Sequence, residues 1–161
     1  MMTAETILEV LRQHPFAEEL QPDHIEILTR LAREAKFERD AIIFREGDEC
    51  ARFYLIIEGQ VALEIYTPGR VLRVQTLGEG DELGWSSMLM RNSKHFMARA
   101  LRGVRALEFD GAELLNACHE NPSFGFAFMY RLLGVVAQRL QATRVQLMDM
   151  YSPHAHAAGT R

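Results

Sequence analysis

The residues best placed to do chemistry lie between Gly78 and Ala100. This stretch opens with glycine-rich backbone, crosses a short helix-like segment headed by Trp85, Ser86 and Ser87, and runs into a strand that begins with Lys94 and His95. Exposed backbone N–H groups, two hydroxyls and a cation form an anion cradle. Enzyme chemistry is poorly supported. Gly84-x-Ser86-x-Met88 lacks the closing glycine of a nucleophile elbow. Gly78-x-Gly80 is a turn and not a dinucleotide fingerprint, because Leu83 occupies the third glycine position. A metal-dependent roll would need histidines clustered with a carboxylate. The only His-x-His, His154 and His156, lies in the tail, and His95 stands alone. No catalytic residue and no metal ligand is assigned.

The elements that position this stretch can be read from the hydrophobic pattern. Thr3 caps a helix to Gln13 with Ile7, Leu8 and Leu11 on one face, and His14-Pro15 ends it. Pro22 opens a second helix with Ile25, Leu28 and Leu31 as its stripe. From Ala35 the pattern changes to short strands separated by glycine turns: 41–44, 53–57, 61–66, 71–77, 96–101 and 104–109 are the clearest. About eight strands at short spacing predict an α+β chain built on an antiparallel jelly-roll. Asp110 caps a helix from Gly111 to His119, and Asn121-Pro122 starts one that runs to about Tyr151. The expected organisation is N-terminal helices at 1–34, a roll at 35–119 containing the 78–100 segment, a long helix at 120–151, and a disordered tail at 152–161.

The order of parts resembles the cyclic nucleotide-binding cassette of catabolite activator-type regulators and of the protein kinase A regulatory subunit. Gly47-Asp48-x-Cys50-x-x-Phe53-Tyr54-Leu55-Ile56-x-x-Gly59 is similar to the family's first signature; Gly59-x-Val61 and Gly80-Asp81-x-Leu83-Gly84 also fit. The resemblance covers roughly Phe16 to Tyr151. It implies a ligand cassette in which a glutamate accepts from the ribose 2′-hydroxyl and an arginine donates to the cyclic phosphate. Here Trp85 stands at the glutamate position and Lys94 at the arginine position, followed by His95 and Phe96. An indole donates but cannot accept, and an ammonium keeps the charge without the two-pronged fork. Losing such charge-assisted bonds weakens an unmodified cyclic nucleotide by about 10²–10³-fold or more. Two readings stay open: a pocket retuned for another anionic, nucleotide-like ligand, and an emptied pocket whose tryptophan fills the old ribose space, with the fold kept for dimerisation or partner binding. The ligand-binding set expected is Gly84, Trp85, Ser86, Ser87, Lys94, His95 and Thr143. Thr143, in Arg139-Leu140-Gln141-Ala142-Thr143, matches a threonine that meets adenine in the activators. The Gly84-Trp85-Ser86 variant also resembles single-domain bacterial members that carry no DNA-binding unit.

The long helix carries a heptad seam: Phe126, Leu133, Leu140 and Leu147 at one position, Met129, Val136, Thr143 and Met150 at the other. A parallel homodimer is expected, with Phe124, Phe128, Leu132 and Val135 turned toward the roll.

Composition sets the outer limits. With 161 residues, one domain with an appendage is expected, large enough to fold without disulfides or metal. A net charge of −4 argues against nucleic acid as main partner. Cys50 and Cys118 show no metal spacing, which fits a reduced, cytoplasmic setting. No leader or membrane-length apolar run is apparent. The expected protein is a non-catalytic, homodimeric regulator or sensor. Its partners are itself, a small anionic ligand (a cyclic nucleotide or related anionic nucleotide) and another protein. The alternatives are a ligand-free dimeric adaptor and a truncated transcriptional regulator.

Overall fold

A computed structural model of the chain describes residues 1–49, 51–89 and 95–152. Helix α1 (Ala4–Gln13) is capped by Thr3, whose hydroxyl accepts from the Thr6 N–H at 3.2 Å. A 3-10 turn (Pro15–Ala17) and α2 (Pro22–Leu31) follow, the latter with proline in its first turn, as expected.

Among the described residues, eight strands then form two antiparallel sheets. The first has the order β1 (Arg33–Phe37), β8 (Val104–Asp110), β3 (Arg52–Glu58), β6 (Glu82–Leu83). The second has the order β2 (Ile42–Phe44), β7 (Met97–Ala100), β4 (Gln60–Thr67), β5 (Arg70–Gly78). Alternation along β3 gives the first sheet two different faces. Phe53 joins Phe109, Phe16, Phe124 and Phe128 in a chain of ring contacts at 5.3–6.1 Å. Tyr54 and Ile56 turn the other way, into a buried cluster with Val61, Leu63 and Leu77 of the second sheet, Leu83, and Ala98 and Ala100. The interior of the roll is therefore filled by side chains from both sheets.

Gly59 lies between β3 and β4 at φ +104°, where a Cβ would stand 2.3 Å from the Gly103 carbonyl oxygen. Only glycine fits both that backbone and that approach.

Two expectations need correction. β1 begins at Arg33, inside the 1–34 segment assigned to helices, and pairs along its full length with β8. Its sequence, Arg-Glu-Ala-Lys-Phe, has no strong apolar alternation, so the pairing decides it. β7 begins at Met97, not at Lys94–His95; His95 and Phe96 form a bend before it.

Helix α4 (Gly111–Glu120) is capped by Asp110, and α5 spans Pro122–Tyr151. Met1–Phe128 forms one compact unit and Met129–Arg161 a second. Within the first, His24 of α2 reaches Ser123 Oγ at 3.1 Å, while its Nδ1 is buried with no hydrogen-bond partner. On α5, Phe126, Leu133, Leu140, Leu147 and Met150 are 48–75% exposed, Thr143 is exposed, and Met129 and Val136 are half-buried. Phe124, Phe128, Leu132 and Val135 are buried.

Candidate ligand cassette

The cassette is reached through a tight turn. The Gly78 N–H donates to Asp81 Oδ2 at 2.8 Å, and the Gly80 N–H donates to the Ile56 carbonyl at 3.0 Å. Gly80 and Gly84 both lie in the left-handed region, at φ +84° and +80°. They turn the chain into β6 and out of it again, which fixes where Trp85 emerges.

Trp85 is half-buried at the start of α3, a single turn from Ser86 to Leu89. The Ser87 N–H donates to the Gly84 carbonyl at 3.0 Å and the Met88 N–H to the Trp85 carbonyl at 3.2 Å. These bonds occupy the Ser87 amide, one of those expected to face an anion. α3 packs on β3 and α4. A Cβ on Gly111, the first residue of α4, would stand 2.8 Å from the Ser87 carbonyl oxygen and 3.1 Å from Ser87 Oγ. The Ser87 hydroxyl is buried there without a hydrogen-bond partner. Ser87 thus serves as the seat of α3 on α4.

The seat is held from below. Gly111 N–H donates to the Ala51 carbonyl at 2.9 Å. Asp110 accepts from the Ala112 and Glu113 N–H groups through Oδ1, at 2.9 and 3.1 Å, and from Arg52 Nη1 through Oδ2 at 2.9 Å. One carboxylate both caps α4 and anchors it to β3.

The structure brings Gly84, Trp85, Ser86 and Ser87 together in one short segment. His95 is exposed in the bend before β7. Lys94 lies outside the described residues. Thr143 belongs to the second unit, where its hydroxyl donates to the Arg139 carbonyl at 2.9 Å.

Two polar pairs escaped the sequence reading. On β4, Glu64 is buried and receives two bonds from Arg99 on β7, from Nε at 2.9 Å and Nη2 at 3.1 Å. Those bonds hold its carboxyl below the usual range, against burial, which pushes it up; the Arg99 charge and Arg73 at 3.9 Å add to the lowering. Inside the roll, burial pushes the Tyr54 hydroxyl strongly up, and its hydrogen bond with the charged Glu108 adds to the shift. Tyr54 lies directly opposite Glu108 on the neighbouring strand, whereas Glu64 lies opposite Met97 and meets Arg99, which is opposite Ala62, along the diagonal. The alternation Ala98-Arg99-Ala100 is the signal that Arg99 points away from the roll interior.

Among the described residues, no group of three or more His, Cys, Asp or Glu could hold a metal ion. No described helix is long and apolar enough to cross a membrane.

The model of the cyclic nucleotide-binding domain matches residues 34–121. The chain belongs to the cyclic nucleotide-binding domain family. As a cyclic nucleotide-binding domain, it is similar to a CRP-like cAMP-activated global transcriptional regulator of Mycobacterium tuberculosis, 28% identical over 88% of this chain. It spans 62% of the length of that regulator. A cyclic nucleotide-binding domain from Methylobacillus flagellatus superposes with a TM-score of 0.79 at 19% identity, covering 91% of this chain and 83% of the other. The c-di-GMP responsive global regulator CLP of Xanthomonas campestris superposes at 0.72 and 16% identity, covering 82% and 65%. The family's roll, its cassette turn and its long closing helix are all present in this domain.

Proposed function

We propose that this cyclic nucleotide-binding domain is a non-catalytic cytoplasmic sensor. In this reading it acts as a homodimer and takes a small anionic, nucleotide-like ligand with altered specificity. One observation carries the reading. The cassette backbone keeps its left-handed glycines and its seated helix, while a half-buried tryptophan occupies the position where the family resemblance implies a glutamate. An indole there offers a stacking face in place of a carboxylate, worth about 1–3 kcal/mol per base. The ligand's anion is met by Lys94 and by backbone at the start of α3. Binding shifts a two-state equilibrium only through different affinity for the two states. The change is passed through the Ser87–Gly111 contact to α4, and a partner protein reads the altered dimer.

Calorimetry and thermal shift against cyclic AMP, cyclic GMP and cyclic dinucleotides test the reading. A ligand present at 100 times its Kd should stabilise the fold by about 2.7 kcal/mol. A melting temperature unmoved by every member of the panel removes the sensor.

A ligand-free adaptor is the second reading. It is favoured by the packing of the roll, where Tyr54, Leu63, Leu77 and Leu83 are each at most 8% exposed. Trp85 is the only tryptophan, so fluorescence quenching separates the two readings. An adaptor leaves acrylamide quenching unchanged by every nucleotide in the panel, whereas a sensor's ligand shields the indole.

A further inference from the structure

His14 closes α1 and caps the 3-10 turn, and it is 5% exposed. Its Nδ1 accepts from the Phe16 N–H at 3.1 Å. A ring nitrogen that accepts carries no proton. Its Nε2 lies 3.2 Å from the Ile56 carbonyl oxygen. A carbonyl only accepts, so this nitrogen carries the hydrogen. The two contacts together admit one form of the ring, neutral and protonated at Nε2. A proton added at Nδ1 would set two donors against each other in a buried place.

The location gives this a consequence. The Ile56 carbonyl also receives the Gly80 N–H, and a Cβ on Gly80 would stand 3.2 Å from Pro15 Cγ. His14 and Pro15 therefore hold the N-terminal helices on the turn that leads into the cassette. A cavity of about 110 Å³ adjoins the ring, lined also by Val10, Gln13, Ile57 and Glu79. It gives a displaced imidazole somewhere to go.

We propose that His14 is a pH-sensitive clasp: acidification releases the α1–Ala17 segment from the roll. The charged groups on the surrounding elements are few in kind. Glu79 lines the cavity, Asp81 is engaged by the Gly78 N–H, and Glu82 is buried on β6. Glu58, at the end of β3, faces Arg105 at 3.8 Å. Glu9 and Arg12 lie on α1, and Glu18 and Glu19 follow the 3-10 turn. The carboxylates favour a cation and oppose the clasp; the Nδ1 contact disfavours one. The unclasped state binds the extra proton, so docking is complete above the ordinary imidazole value and is lost as pH falls below it.

Hydrogen exchange of the whole chain at about pH 7.5 and about pH 5.5, corrected for intrinsic rates, reads this directly. Below about pH 6.5, protection of residues 4–17 should fall up to tenfold per pH unit, while β4 and β7 are unaffected. His14→Asn keeps an acceptor for the Phe16 N–H and does not titrate, so its protection should be flat across that range. An unchanged wild-type profile overturns the clasp. So does an equal fall in His14→Asn, which would point to His24. Long-range 15N–1H correlation on the wild type does not depend on how the variant folds. It should find the His14 proton on Nε2 at about pH 7.5, and a proton on Nδ1 overturns the assignment.

Discussion

Glu64 is a carboxylate on the outward face of β4, 4% exposed, with Arg99 as its forked partner. Removing Arg99 takes both short hydrogen bonds from the buried carboxylate and leaves it only Arg73, at 3.9 Å. Arg99→Ala should therefore lower stability by about 3 kcal/mol, measured by urea unfolding, and a loss near zero would show the pair to be open to water. The same pair sets an acid limit. Because Arg99 holds the folded carboxyl below its unfolded value, this contribution is complete above about pH 4.5 and is lost as pH falls further. Arg99→Ala should flatten the stability profile in that window. Gly59 makes a second residue-scale prediction. Gly59→Ala puts a Cβ 2.3 Å from the Gly103 carbonyl oxygen at φ +104°, so a melting temperature within a few degrees of wild type would contradict the geometry. Neither pairing was legible beforehand. Glu64 and Arg99 are 35 positions apart, and only strand register brings them together.

At the scale of elements, α3 depends on its neighbour. Gly111→Ala requires the backbone of Ser87 to move. It should cost about 1–3 kcal/mol and shift the emission of Trp85, and an unchanged spectrum would mean that α3 does not rest on α4. The long helix was the most legible element, because its apolar residues repeat over four heptads and both ends carry proline signals. Phe126, Leu133, Leu140, Leu147 and Met150 of the seam are exposed in the single chain, which suits a second copy, while Met129 and Val136 are half-buried. Leu140→Glu should halve the sedimenting mass, and a mass equal to wild type would defeat the seam. β1 was the least legible element, since nothing in Arg-Glu-Ala-Lys-Phe favours a strand until β8 is beside it. Of the candidate site, the glycine turns and the position of Trp85 followed from sequence. The burial of the Ser87 hydroxyl did not, because it depends on a helix that begins 24 residues later.

For the whole molecule, the roll could be read from spaced glycines and period-two strands, and the family follows from residues 34–121. Its ligand does not follow from the fold. The architecture is shared with proteins of 16–19% identity, while specificity rests on a few side chains. That is why Trp85, His95 and Lys94 should be tested together. The triple change to the family's Glu, Ser and Arg should raise cyclic AMP affinity by about 10²-fold or more by titration, and no gain would show that the roll itself excludes the nucleotide.

β5 has a hydrogen-bonded neighbour on one side only among the described strands. Its nine residues present a long open edge, with Val71 and Leu72 exposed along it. Such an edge is a template for aggregation, and charge is a usual safeguard. Arg70 and Arg73 flank the apolar pair. Their positive charges make the solubility of the molecule depend on salt: screening should bring edges together that repel one another in dilute buffer. Arg70 and Arg73 then act as gatekeepers, keeping the roll from extending its own sheet into another molecule.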